Sequence, residues 1–237
     1  MGCDIHFYVE KKIDGKWVSQ DIWSKEDPLE NEETSFLYVD HAHSYYKGRN
    51  YNLFSILADV RNGFGFAGVK TGEKFSPIAP PRGVPEDSCI EIKKVVDQWE
   101  GDGHSHSYFN LKELLEYDWS QVSHLQGWVC MPVWSKWVMW DRQNGKGPQS
   151  YCGFVDGPLV TRITAQEADA LFPKELKWED REKIASENAN KYALAKWTQP
   201  YYAVAGSFFS ETIPRLLALS NGVTNFENVR VVFFFDN

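Results

Sequence analysis

The chain has 237 residues, of which 43% are apolar and 24% are charged, which are ordinary values for a globular protein. Its formal net charge is −8 without any basic run, and this argues against a protein that binds duplex DNA through a basic face. No apolar run reaches the roughly 20 residues of a membrane helix, so no membrane partner is predicted. The four cysteines form no C-x-x-C pair and no signal peptide pattern is present, which together indicate the cytoplasm.

The first ten residues predict a strand whose two faces differ. A row of ionisable side chains that faces water is the simplest interpretation, and a catalytic row is the alternative. Asp14-Gly15 then predicts a hairpin turn into a second strand. The apolar face carries Cys3, Ile5, Phe7 and Val9, and the other face carries Asp4, His6, Tyr8 and Glu10.

Later segments predict a mixture of helices and strands. Residues 24–34 are acidic and predict an exposed loop, residues 128–140 predict strands, and residues 178–197 predict one helix. The run 229–235 is apolar on both faces and predicts a central strand. The chain is therefore expected to form one α+β domain over residues 1–237. Its sheet is expected to be mixed or antiparallel, with the N-terminal hairpin, the 128–140 region and the last strand, and with helices packed mainly on one side.

The segment Asp102-Gly-His104-Ser-His106 is the sharpest chemical feature. Two histidines at positions i and i+2 of an extended segment are expected to project to the same side, as in sites where two histidines bind a metal. Asp102 is then a ligand or orients a histidine. A divalent transition metal is accordingly the candidate cofactor. A hydrogen-bonded turn before a helix is the structural alternative.

Asp4 and His6 share one face of the first strand, where a carboxylate can tune an imidazole as a general base. With His104 they would supply an acid–base pair suited to phosphodiester cleavage. His41 and His43 form a second H-x-H pair in a less confined setting.

Three loop residues are candidate contacts for an anionic ligand. Arg49 and Asn50 precede a predicted helix, and Arg82 lies in a proline-rich loop. The planar guanidinium fork matches a phosphate or carboxylate, and a helix N-terminus also favours an anion. Asn50 is in addition the expected N-cap of that helix.

Motifs spread over the whole chain resemble a family of uncharacterised proteins found in phages and bacterial genomes. They are Met1-Gly-Cys-Asp-Ile-His6, Gly48-Arg-Asn-Tyr51, Ala58-Asp-Val-Arg-Asn62, Pro81-Arg-Gly-Val-Pro85, Asp102-Gly-His-Ser-His-Ser107 and Phe235-Asp-Asn237. The resemblance implies a phage-type accessory protein in the host cytoplasm. By analogy it suggests counter-defence against a nucleotide signal.

The sequence favours a phosphodiesterase-like hydrolase that acts on a small nucleotide or another phosphate ligand. His104, His106, His6 and Asp4 would be catalytic, and Arg49, Asn50, Arg82 and Asp102 would bind the ligand. A non-catalytic protein that sequesters a nucleotide is the first alternative, since 15% of the residues are aromatic and suit base stacking. A protein-binding inhibitor is the second. The sequence leaves the oligomeric state open.

Overall fold

The computed structural model describes residues 2–26, 35–220 and 225–237. Most of the predicted acidic loop, residues 27–34, lies outside them. The strands of the described chain are β1 (Asp4–Ile13), β2 (Lys16–Ser19), β3 (Trp23–Glu26), β4 (Phe36–Val39), β5 (His104–Asn110), β6 (Val122–Cys130), β7 (Thr161–Ile163), β8 (Lys191–Pro200) and β9 (Val229–Asp236).

The α-helices are short, and two of them adjoin a π-helical turn. Those turns span Trp137–Asp141 and Phe208–Thr212. The helices of the described chain are α1 (Tyr51–Ala58), α2 (Ile90–Gln98), α3 (Leu111–Glu116), α4 (Met131–Lys136), α5 (Ala165–Leu171), α6 (Trp178–Glu187), α7 (Tyr201–Val204) and α8 (Ile213–Leu219).

The α+β class is confirmed, and the chain forms two compact units. The first unit comprises residues 1–60, 76–118 and 205–237, and the second comprises residues 61–75 and 119–204. The single domain over residues 1–237 stays a prediction. No helix of the described residues is both long and apolar enough to cross a membrane.

The first unit is built on an antiparallel sheet in the order β2-β1-β9-β5. The N-terminal hairpin and the interior position of β9 are therefore confirmed. Every residue of β9 from Val229 to Phe235 is buried, because both faces of the sheet are covered. A separate two-stranded sheet, β3-β4, belongs to the same unit.

The two faces of the sheet bury different aromatic residues. On one face, Phe235 packs edge-on against Phe54 of α1, with ring centroids 4.9 Å apart. On the other, Tyr8 and Phe234 belong to a core with Ile92 of α2. The interpretation that the row along β1 faces water is wrong for Tyr8, which is 5% exposed, and for its neighbour Glu10, which is 0% exposed.

The second unit contains the sheet β6-β8-β7, in which β7 runs parallel to β8. The predicted strands over 128–140 are wrong beyond Cys130, because Met131 and Pro132 open α4 and the chain turns helical. The part of this region that does form a strand belongs to β6, which pairs with β8 and not with β1. The single helix over 178–197 is wrong as well, because α6 ends at Glu187 and β8 begins at Lys191.

Candidate functional site

A cavity of about 490 Å³ opens in the first unit beside the start of β1. This volume is in the range of small-molecule sites. Its walls come from β1, β4, the segment that leads into α1, and the end of α2. The polar and aromatic lining residues include Asp4, His6, His41, Lys47, Arg49, Tyr38, Phe36 and Trp99.

His6 is held by a carboxylate from the neighbouring strand. Antiparallel pairing places Asp4 opposite Asp236 and His6 opposite Phe234. Asp236 accepts a hydrogen bond from the Asp4 backbone N–H at 3.0 Å, and its other carboxylate oxygen lies 3.3 Å from His6 Nε2. The two side chains are 19% and 22% exposed. They form a carboxylate–imidazole pair that is partly sheltered from water.

Burial sets the protonation of His6. It lowers the pKa of His6, although the hydrogen bond and charge of Asp236 and the charge of Asp4 act in the opposite direction. The imidazole is therefore neutral near pH 7. With Nε2–H donated to Asp236, Nδ1 is the proton acceptor in this tautomer.

Arg49 reaches Asp4 at the mouth of the cavity. Its Nε donates to Asp4 Oδ1 at 2.6 Å and its Nη2 donates to Oδ2, which makes a bidentate pair. This interaction lowers the pKa of the Asp4 carboxyl. Both side chains are about half exposed, so an incoming anion can compete for the guanidinium.

The His6 ring belongs to a stack of three rings that crosses the sheet. Phe234 lies between His6 on β1 and His106 on β5, with centroid distances of 4.5 Å and 5.0 Å. A Cβ at Gly103 would lie 3.3 Å from His106 Nε2, so glycine is the residue that fits the turn there. The phenyl ring therefore separates the two imidazoles.

A β-bulge separates the two histidines of β5. The register shifts between His104 and Ser107, and Ser105 has a positive φ of 52°. His104 stacks on Phe235 whereas His106 stacks on Phe234, and these neighbours on β9 point to opposite faces. The expectation that His104 and His106 project to the same side is wrong, because the extra residue breaks the alternation.

His104 and His106 therefore do not fit a shared metal ion. Within residues 2–26, 35–220 and 225–237, no group of three or more His, Cys, Asp or Glu side chains is placed to hold one. Asp102 is exposed in the turn before β5, where its backbone N–H donates to the carbonyl of Trp99.

The other two predicted ligand contacts have structural partners. Asn50 is the N-cap of α1, as predicted, and its Oδ1 accepts from the backbone N–H of Asn52 at 3.1 Å and of Leu53 at 3.2 Å. Arg82 pairs with Glu113 at 2.7 Å and lies over the ring of Phe109. Neither residue lines the cavity that contains Arg49.

Sequence reasoning did not give Asp236, Lys47 and Trp99 a role in the site. The Asp236 carboxylate reaches His6 only through the register of β1 with β9, which no local pattern reveals. Trp99 contacts the His6 ring at a centroid distance of 4.3 Å from the end of α2. Its only local signal is its place on the apolar side of that helix.

Comparison of the chain with protein-family models, with curated proteins and with solved structures yields no match.

Proposed function

We propose that the protein is a phosphodiesterase-like hydrolase that acts on a small nucleotide or another phosphate ligand. The observation that supports this function is that His6, which pairs with Asp236, lines a cavity that Arg49 and Lys47 also line. A general base and two cationic side chains therefore line the same cavity. The cavity volume of about 490 Å³ is sufficient for a mononucleotide-sized ligand.

The chemistry starts from neutral His6. Nδ1 accepts a proton from a water molecule while the water oxygen attacks phosphorus, and the bond to the leaving oxygen breaks. The imidazolium then returns that proton to the leaving oxygen. Asp236 fixes the ring through Nε2 and stabilises the imidazolium while it exists, as the carboxylate does in other carboxylate–histidine pairs.

The ligand is expected to carry both an anion and a flat ring. Arg49 and Lys47 supply positive charge at the mouth, and the aromatic rings of Phe36 and Trp99 line the wall. Guanidinium and ammonium groups bind phosphate, and flat rings stack on bases. The resemblance to phage proteins favours a role in the host cytoplasm, where cleavage of a nucleotide signal would serve counter-defence.

Hydrolysis of bis(p-nitrophenyl) phosphate, followed as release of p-nitrophenolate, tests the assignment. His6→Asn should lower the rate at least about 100-fold, because general-base catalysis contributes that much or more. His43→Asn is the matched control, since His43 is exposed and does not line the cavity. The assignment is wrong if the wild type releases no p-nitrophenolate, or if His6→Asn and His43→Asn react at the same rate.

A protein that sequesters a nucleotide without turnover is the second candidate, and the aromatic lining of the cavity favours it. Incubation with a mixture of nucleotides, followed by denaturation and mass spectrometry, separates the two. Stoichiometric release of an intact nucleotide supports capture. Release of hydrolysed product supports the hydrolase.

A further inference from the structure

A second cluster of reactive groups lies on the opposite face of the sheet from His6. His104 Nδ1 lies 3.0 Å from Ser105 Oγ, and His104 Nε2 lies 3.0 Å from the side-chain amide nitrogen of Asn237. A hydroxyl, an imidazole and an amide are thus connected in series. This is the arrangement by which an enzyme activates a nucleophile: a base within hydrogen-bond reach, itself oriented by a third group.

The backbone fixes the hydroxyl in place. Ser105 is the bulged residue of β5 and has a φ of 52°. A side chain other than glycine is strained in that region of conformational space. Such strain is concentrated at functional positions, and here it accompanies the hydrogen bond to His104.

Adjacency in sequence does not by itself create this hydrogen bond. Ser123 and His124 are also consecutive and lie on strand β6. There the hydroxyl of Ser123 donates to the carbonyl of Gln199 at 2.7 Å. The two pairs differ in backbone register, which is shifted between His104 and Ser107 of β5 but regular between β6 and β8. They also differ in order, because the serine precedes the histidine in the second pair.

We propose that Ser105 is a catalytic nucleophile towards carboxylic esters, with His104 as its general base and Asn237 as a positioning residue. Ser105 Oγ attacks the carbonyl carbon and its proton passes to His104 Nδ1. The carbon–oxygen bond of the ester then breaks, and the leaving alcohol takes that proton. Water hydrolyses the acyl-serine with the same base. In the active tautomer the Asn237 amide is turned so that Oδ1 accepts from Nε2–H.

This site does not rest on the proposed function of the cavity. None of His104, Ser105 and Asn237 lines that cavity, and the two reactions use different histidines. Loss of activity in His6→Asn and loss of Ser105 reactivity are therefore separate outcomes.

A fluorophosphonate probe tests the nucleophile directly. The Oγ–phosphorus bond forms, the phosphorus–fluorine bond breaks, fluoride leaves, and the hydroxyl proton passes through His104 to solvent. Intact mass should show one adduct per chain, and peptide mapping should place it on Ser105. Labelling elsewhere, or no labelling, overturns the proposal.

Three variants separate a loss of reactivity from a loss of folding. Ser105→Gly removes the hydroxyl and suits a positive φ, so it should fold and lose the adduct. Ser123→Ala is the matched serine control and should label like the wild type. His104→Ala should slow labelling at least about 100-fold. Equal labelling rates in the His104→Ala variant and the wild type contradict the role of the base.

Asn237→Asp tests whether residue 237 orients the His104 ring. The measurement is the pH dependence of labelling, which a purely structural residue would not change. A carboxylate also accepts a hydrogen bond from His104 Nε2–H, so labelling should persist. Its negative charge favours the protonated form of the His104 imidazole in the variant. The pH profile of labelling should therefore move to higher pH. An unchanged pH profile would contradict a contact between Asn237 and the His104 imidazole that acts as the general base.

Discussion

The two ends of one face of β1 have the same kind of residues but different environments. At the start of the strand, Asp4 and His6 adjoin the cavity and remain partly exposed. Four residues further on, Tyr8 and Glu10 are buried. Alternation puts all four on one face, so the difference comes from what covers each end.

At the covered end of β1, which carries Glu10, every hydrogen bond of the Glu10 carboxylate is made within the protein. Glu10 Oε1 accepts from the backbone N–H of Cys89 at 2.6 Å, and Oε2 accepts from Arg230 Nε at 2.7 Å. Arg230 also donates to Asp87 at 2.8 Å and lies over the ring of Trp17. This set of contacts stabilises the fold and keeps the Glu10 carboxylate away from solvent.

At the open end the same residue types keep part of their surface in contact with water. An ionisable row is therefore a candidate site where the residues packed on it leave a cavity, and a structural network where they cover it. Substitutions at Arg230, Asp21 and Arg49 test this distinction.

Arg230→Met should lower the free energy of unfolding by about 3–5 kcal/mol, because it leaves the buried Glu10 carboxylate without its cation. Chemical denaturation followed by circular dichroism measures this. The double variant Glu10→Gln, Arg230→Met removes the unpaired charge and should recover part of the loss. If the single variant is as stable as the wild type, the covered end is not a structural network.

Asp21→Asn should change how stability depends on pH. Asp21 Oδ2 accepts from the backbone N–H of Val9 at 2.7 Å, while Oδ1 is buried without a partner among the described residues. Burial raises the pKa of Asp21 to about 7. Between about pH 4 and 7 the folded state binds more protons, so the free energy of unfolding falls as pH rises, by at most about 1.4 kcal/mol per pH unit.

In the Asp21→Asn variant the free energy of unfolding should no longer fall with rising pH because of this group. Denaturation curves recorded from pH 4 to 8 measure this. His6→Asn, at the open end, should remove the opposite slope, because a lowered histidine pKa makes stability fall as pH falls below about 6.5. Curves for the Asp21 variant that parallel those of the wild type would contradict a titrating carboxyl there.

Arg49→Met should leave the free energy of unfolding close to the wild-type value, because solvent screens the exposed Asp4–Arg49 pair. It should nevertheless weaken binding of inorganic phosphate, measured by calorimetry, if the open end holds an anion. Lys11→Met, on the covered half of β1, is the control for loss of one positive charge. A stability loss as large as that of Arg230→Met would remove the contrast between the two ends.

Local chemistry explains which parts of the fold could be predicted from the sequence. The N-cap at Asn50 and the capping boxes that begin at Asn110 and Thr164 depend on residues at most three positions apart, and all three form. The alternation of β1 and the apolar run of β9 are also local. These features placed both central strands correctly.

Features that depend on distant pairing could not be predicted. Strand β8 buries the small residues Ala193 and Ala195 on one face, and alanine is equally typical of a helix. The bulge that separates His104 from His106 arises in the pairing of β5 with β9. For the same reason the sequence identifies Asp236, the partner of His6, only as a residue near the end of the last strand.

The phenyl ring of Phe234 between two imidazoles also provides a spectroscopic signal of the site. Protons that lie over the face of an aromatic ring are shielded by its ring current, so the carbon-bound imidazole protons of His6 and His106 should resonate upfield of those of the exposed His43. Loss of the stack would move both sets of resonances together. A ligand that displaces only His6 would move one set and leave the other in place.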